Sequence, residues 1–347
     1  MPQKAKSNES LLYNEKFTLG RNLALDAARV TESAALAASK WMGLGQEKAA
    51  DQAAVDAMRR ALNSLDIDGT VVIGEGERDK APMLYIGEKV GGGTGPEVDI
   101  ALDPLEGTTI CATGGPNSLA VIAMAEKGGF LHAPDVYMEK IAVGAGLPDG
   151  VISLEDKIGK NLKNLAKAKQ CEVSDLVIVV LERERHKALI AHIREAGARV
   201  QLIGDGDVAG VIATSRPDAR VDMYVGTGGA PEGVLAAAAL RCVGGQMQGR
   251  LLFDGEDEQK ERALRMGIKD LNRIYNIEEM AHGEDVMFAA TGVTSGWMLE
   301  GVKRFQGGAI THSLVMRSRT GTIRTVRTEH NFTRKPGGVL LNANTEK

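Results

Sequence analysis

Two acids, Asp103 and Glu106, flank Pro104 in the stretch VDIALDPLEGTTI, and Gly107, Thr108 and Thr109 follow at once. A carboxylate is costly to remove from water unless a cation or hydrogen bonds compensate, so acids placed where an apolar run ends point to a metal. Comparable acids stand elsewhere at the ends of elements: Asp51 near the head of KAADQAAVDAMRRALNSL, Glu75 and Glu77 after VVI in TVVIGEGERD, and Glu232 in GTGGAPEG. In α/β sheets the crevice beyond the carboxyl ends of the strands is the usual ligand site, and acids distant in sequence can converge there. Oxygen-only donors suit hard ions such as Mg²⁺ or Mn²⁺, and no His or Cys lies in these motifs to argue for zinc.

The residues after Glu106 add a seat for an anion. Gly107 permits close backbone approach, and Thr108 and Thr109 fall where a following helix would aim its free N–H groups at a phosphate. The combination suits phosphate-ester hydrolysis, in which metals neutralise phosphoryl oxygens and lower the pKa of a water that Thr108 could orient. A second anionic group could be gripped by Arg183, Arg185, His186 and Lys187, which follow the apolar run LVIVVL. Asp205, Gly206 and Asp207 end the next strand, and Gly228 and Gly229 the one after, all on the same expected edge. Plainer readings stand beside each of these. Asp51 could cap its helix, Glu75 and Glu77 could be turn acids, and Glu232 after Pro231 could complement a helix dipole. Glu182 and Glu184 could pair locally with the neighbouring bases, and Tyr137 in APDVYMEK could belong to the core.

The elements that must carry these residues follow from periodicity. Leu23, Ala27, Val30, Ala34 and Ala38 have helical spacing and predict a helix from Leu23 to Met42, closed by Gly43. Val55, Met58, Leu62 and Leu65 predict a second, with Asp51 one turn before the apolar stripe. TVVI reads as a strand, as does VDIALD, stopped by Pro104, and residues 118–143 read as further strands. After a Lys-rich helix around NLKNLAKAKQ, strand and helix alternate through residue 245 as parallel α/β units require, so a second domain is expected to begin near residue 165. FDGEDEQKERALRMG reads as a solvated helical or connecting segment, AITHSLVMRSRTGTIRTVRTEH as a β-hairpin turning at Thr320 and Gly321, and NFTRKPGGVLLNANTEK as a loose end.

Composition excludes several classes. With 347 residues and 43% hydrophobic content the chain can build a sizeable core, and 42 Lys plus Arg against 46 Asp plus Glu leave a net charge of −4, without the basic excess of a nucleic-acid or anionic-membrane binder. The first 17 residues are polar and lack a signal peptide's apolar segment, and no apolar run has membrane-spanning length, so a soluble protein is expected. Cys111, Cys171 and Cys242 are far apart and form no CxxC pair, which makes a reducing cytoplasm the expected compartment. Pro231 sits where the third glycine of a dinucleotide-binding GxGxxG would fall, and neither GxSxG nor HExxH occurs.

VIGEGERDKAPMLYIGEKVG, VDIALDPLEGTT, APDVYMEK, RERHK, DGDVA, GTGGAPEG, RCVGGQMQGRLL and ATGVTSGWMLEGV together resemble the class II fructose-1,6-bisphosphatases, of the lithium-sensitive, metal-dependent sugar and inositol phosphatase superfamily. The resemblance runs from VTESAALAASKWMG to about residue 330. It implies a two-domain αβαβα sandwich of the fructose-1,6-bisphosphatase/inositol monophosphatase type and Mg²⁺- or Mn²⁺-dependent removal of the 1-phosphate of fructose 1,6-bisphosphate, a step of gluconeogenesis. The domains it implies are a metal-binding catalytic domain over 1–165 with a mobile start, a sugar-phosphate-binding α/β domain over 166–335, and a loose tail over 336–347. Carried over by position, the metal ligands fall on Asp51, Glu75, Asp103, Glu106 and Glu232, with Thr108, Glu75 and Asp103 catalytic. Substrate contacts fall on Glu106, Gly107, Thr108, Tyr137, Arg183, Glu184, Arg185, Asp205, Gly206, Asp207 and Gly229. The chain departs from the family in reading EKAAD where members commonly have KNTAD, which displaces Lys48, and RERH where members often have Lys-Pro-Arg-His. A dimer or tetramer is implied by the resemblance alone. Sedoheptulose 1,7-bisphosphate, alone or as a second substrate, and a non-catalytic sugar-phosphate sensor are the alternative readings.

Overall fold

The computed structural model describes residues 19–20, 22–76, 83–253, 255 and 257–334. Glu77, the polar start before residue 19 and the tail over 336–347 lie outside the described residues. The chain opens with α1 (Leu23–Ala38), α2 (Glu47–Leu62), β1 (Asp68–Ile73), β2 (Lys89–Val90), β3 (Glu97–Glu106), α3 (Thr108–Thr113) and β4 (Leu119–Glu126). It continues through β5 (Tyr137–Val143), α4 (Ile158–Lys169), β6 (Val177–Leu181), α5 (Lys187–Glu195), β7 (Arg199–Ile203), α6 (Asp207–Ala213), β8 (Met223–Gly229) and α7 (Ala230–Val243). It closes with β9 (Gln246–Leu252), α8 (Asp257–Arg265), β10 (Ile274–Asn276), α9 (Ile277–Met280), β11 (Met287–Gly292), β12 (Lys303–Phe305), β13 (Gly308–Arg317) and β14 (Thr322–Asn331).

Two sheets result. The first has eight strands in the order β12-β13-β11-β4-β3-β1-β2, with β14 along the free side of β13. The second has six in the order β10-β9-β5-β8-β6-β7. β1 and β3 run parallel, as do β6, β7 and β8, while β5 and β9 are antiparallel additions. Side chains of α1 and α2 cover one face of the first sheet, those of α4 and α5 the outer face of the second, and α6, α7 and α9 fill the space between the sheets. The layers are therefore α, β, α, β, α, the sandwich that the resemblance implies. α7 shows why the middle layer holds: a helix enclosed by sheets on both sides must be apolar all round, and VLAAAAL is buried throughout, its small side chains admitting both sheets. Among the described residues no helix is long and apolar enough to cross a membrane.

Three details differ from the sequence expectations. α1 ends at Ala38, and Gly43, with φ of 74°, serves the following loop instead: the Gly43 and Gly45 N–H groups donate to Cys111 O and Ala112 O, both at 2.9 Å, satisfying carbonyls at the end of α3. β3 continues past Pro104 to Glu106, because β1 pairs only as far as Ala101 and the β3–β4 register shifts between Asp103 and Glu106, so the missing proline N–H breaks no ladder. Residue 165 lies inside α4 and separates no sheets; the second sheet already begins at Tyr137, and from Met287 the chain returns to complete the first. The expected hairpin forms as β13 and β14 but is part of that first sheet.

The return is fastened by Arg317 at the end of β13, which donates from Nε to Asp285 Oδ1 at 2.7 Å, from Nη2 to the other carboxylate oxygen, and from Nη2 to Leu19 O at 3.0 Å. Asp285 is fully buried, and removing one partner of a buried pair leaves an uncompensated charge. Arg317→Met is expected to lower the unfolding free energy by about 3–5 kcal/mol in urea titrations, and Arg317→Met/Asp285→Leu to recover most of that loss.

Candidate active site

The carboxyl ends of parallel strands from both sheets meet at one cleft of about 390 Å³. Its lining contains Asp51, Glu75, Asp103, Glu106 and Glu232, together with Gly107, Thr108 and Asp205. Each acid reaches it from a different element. Asp51 is the fifth residue of α2, whose N-cap is Gln46, so Asp51 caps nothing and projects from the second turn. Glu75 follows β1 in a turn that depends on Gly74, where a Cβ would lie 2.1 Å from Leu84 O. Asp103 and Glu106 bracket the irregularity at Pro104; the Leu105 N–H donates to Asp103 Oδ1 at 2.9 Å, and the Val208 N–H, from α6, donates to Glu106 Oε1 at 3.0 Å. Gly107, with φ of 79°, turns the chain into α3, and Thr108 is that helix's first residue. Glu232 lies in the first turn of α7 and folds back over Gly229, where a Cβ would come within 1.8 Å of its Oε2.

The cleft is electrostatically one-sided, because its lining contains no basic side chain among the described residues. Burial, followed by the charges of Asp103, Asp51 and Glu232, pushes the Glu75 carboxyl up to about 9. Burial raises Asp103 to about 6 and Glu232 to about 7, with Asp207 adding to the latter and Lys140 opposing it. Glu106 is held well above its ordinary value by burial and by Asp103 and Asp207, while burial alone raises Asp51. Among the described residues no three of these acids are drawn close enough to hold an ion as they stand. The donor set nevertheless fits a hard divalent cation. All donors are carboxylate oxygens, and Glu232 Oε2 is a buried acceptor with no hydrogen-bond partner.

The remaining candidate residues stand beside this cleft. Asp207 begins α6 after Gly206, whose φ of 81° repeats the turn at Gly107. Arg183 donates to Gly204 O and to Glu182 O and lies 3.7 Å from the Asp205 carboxylate. Arg185 donates to Thr227 O at 2.8 Å and stacks over Tyr137, 4.7 Å from the ring centroid. Tyr137 is exposed, so the core reading does not hold for it. Glu184 is exposed and pairs with Lys187, the local pairing weighed from the sequence, while His186 is buried, with Nδ1 against Leu181 O at 2.7 Å and Nε2 accepting the Thr227 N–H at 2.8 Å. His186 thus fixes the strand that Arg185 grips rather than offering a free cation. Two residues near the site escaped the sequence reading. Asp135 joins the lining from the loop before β5; it lies in APDVYMEK, from which the sequence reading takes only Tyr137. Lys140 is fully buried behind the cleft on the face it shares with Met138 and Ala142, although a lysine is by residue type expected at the surface.

Because burial and repulsion favour their protonated forms, these carboxyls bind more protons in the folded chain than in the unfolded one. The stability attached to these groups is fully present below their ordinary values near 4 and is lost as pH rises toward about 9, the value of Glu75. A divalent cation replaces those protons, so the rise in Tm on adding Mg²⁺ or Mn²⁺ is expected to grow between about pH 6 and 9, with proton release detectable as a buffer-dependent binding enthalpy. A rise in Tm independent of pH would contradict it.

Residues 21–330 match the family model for bacterial fructose-1,6-bisphosphatase, glpX-encoded. Similar curated proteins include fructose-1,6-bisphosphatase 1 class 2 of Escherichia coli K12 and fructose-1,6-bisphosphatase class 2 of Shigella flexneri, each 48% identical over 327 residues, covering 91% of this chain and 97% of the relative. Among solved structures, inositol monophosphatase from Anabaena (Nostoc) sp. PCC 7120 matches with a TM-score of 0.30 and 17% identity over 57% of this chain and 73% of that one, a likeness too slight to bear on fold or function. On the family match and on identity across nearly the full length, the chain belongs to the glpX-encoded bacterial fructose-1,6-bisphosphatase family.

Proposed function

We propose that this protein is a divalent-metal-dependent phosphatase that removes the 1-phosphate of fructose 1,6-bisphosphate, yielding fructose 6-phosphate and phosphate. The observation that carries the reading is the joining of family membership across residues 21–330 to a cleft in which five acids meet Gly107 and Thr108. Asp51, Glu75, Asp103, Glu106 and Glu232 would hold Mg²⁺ or Mn²⁺, which would neutralise phosphoryl oxygens and lower the pKa of a nearby water. The chain's own groups do the rest. Gly107 leaves its peptide open to the phosphate, and the hydroxyl of Thr108 orients the attacking water. Arg183 and Arg185 hold the distal phosphate, with Tyr137 supporting the Arg185 guanidinium from below. Asp205 and the backbone at Gly206 and Gly229 contact the sugar, Asp207 stands behind them, buried against Lys140 and Tyr224, and Glu184, paired with Lys187, keeps to the rim. A place in gluconeogenesis, a cytoplasmic location and a homodimer or homotetramer accompany the reading, with no nucleic acid or membrane as partner.

Phosphate release is the direct test, measured after chelation with and without Mg²⁺ or Mn²⁺ on fructose 1,6-bisphosphate, fructose 6-phosphate and sedoheptulose 1,7-bisphosphate. Metal-dependent turnover of the first is expected, and no metal-dependent turnover of any would overturn the reading. Thr108→Ala is expected to lower kcat by about 10²–10⁴-fold, and Glu75→Gln to abolish measurable turnover while the circular dichroism spectrum and melting remain cooperative. Arg185→Ala is expected to raise KM for the bisphosphate by about 10–100-fold while leaving slow turnover of sugar monophosphates unchanged; an equal effect on both would remove Arg185 from the distal grip.

A further inference from the structure

GTGGAPEG has the appearance of a phosphate-binding glycine run, yet its glycines are accounted for by side chains. A Cβ at Gly228 would lie 2.0 Å from Asp207 Oδ2 and 3.0 Å from Lys140 Nζ, one at Gly229 would strike Glu232, and one at Gly233 would meet Met138 Sδ at 2.5 Å and Lys140 Cδ at 3.4 Å. Lys140 itself points from β5 into the middle layer and is fully buried, and in the register of β5 it is paired with Gly226 on β8 and Gly249 on β9. The motif therefore makes room for Asp207, Glu232 and Met138, and at Gly228 for the Lys140 ammonium beside Asp207.

The lysine's contacts lie directly behind the cleft. Its Nζ donates to the Asp207 carboxylate and, at 2.8 Å, to Gly229 O. Tyr224, also fully buried, donates from its hydroxyl to the same Asp207 oxygen at 3.4 Å. Gly229 is the N-cap of α7, three residues before Glu232; Asp207 is the first residue of α6, and the next N–H, from Val208, holds Glu106. One ammonium thus fastens the starts of two helices, and each start fixes one of the five acids. A buried ion pair adds little net stability over an apolar pair of equal volume, so orientation accounts for the arrangement better than stability does.

We propose that Lys140 is a positioning residue of the site, a buried cation that sets Glu232 through Gly229 and Glu106 through Asp207 and the first turn of α6. The proposal rests on the metal reading given under Proposed function. Groups that orient ligands from behind typically change metal affinity by about 10–100-fold when lost, and a shift of that size is expected for Lys140→Met in a Mn²⁺ titration followed by electron paramagnetic resonance, together with a higher KM for fructose 1,6-bisphosphate. Both are read well below the variant's melting temperature and per folded molecule. A lower Tm with unchanged Mn²⁺ affinity and KM would reduce Lys140 to a structural ion pair and overturn the proposal. Should Lys140→Met not fold, Lys140→Met/Asp207→Asn removes both charges and is compared with Asp207→Asn. Weaker Mn²⁺ binding by the double variant supports the role, and equal binding overturns it. Failure of the unsubstituted protein to bind Mn²⁺ or release phosphate would overturn the metal reading instead.

Discussion

The cost of holding five carboxylates against one cleft without a basic side chain in its lining is the constraint from which the rest of the architecture follows. No single element could supply such a set. The acids are carried by α2, the turn after β1, the end of β3 and the start of α7, so that each backbone is anchored in a different part of the core and mutual repulsion cannot simply push them apart. The two sheets turn the carboxyl ends of their parallel strands toward the same gap, and the apolar α7 packs between them against both. The raised carboxyl values are the trace of this arrangement without its counter-charge.

Much of the site is legible in the sequence because its chemistry conflicts with its surroundings. Asp103 and Glu106 follow an apolar strand, Glu75 follows another, and Glu232 precedes a run of alanines, so their residue types alone mark them against the local pattern. Alternation of strand and helix from LVIVVL onward is equally plain, and the fold realises it as β6, α5, β7, α6, β8 and α7 in order. The layered sandwich itself enters through the resemblance rather than through periodicity, since nothing in hydrophobic spacing says how many sheets a chain will make.

What periodicity leaves out is pairing between distant segments. Nothing in MFAATG announces that it lies against β4 some 160 residues earlier, and nothing in the hairpin at Thr320 announces which sheet it will extend. Proline reads as a strand terminator, yet at a bulge beyond the end of a neighbour it is tolerated, and only the register of β1 and β4 around β3 makes that visible. Lys140 is hidden for a related reason: in YMEKIAV alternation places it on the face of Met138 and Ala142, and only the fold supplies the Asp207 carboxylate and the Gly229 carbonyl that let a lysine be buried there.

The order of the strands has a consequence for synthesis. β4 is made early, but the neighbour that covers its outer edge, β11, is encoded more than 150 residues later, after the whole second sheet. As the chain leaves the ribosome, the strands from β5 to β10 can close on one another while the first sheet still exposes the unpaired edge of β4, an apolar strand and a ready template for wrong pairing. The half of the molecule that carries most of the acids is therefore begun first and finished last.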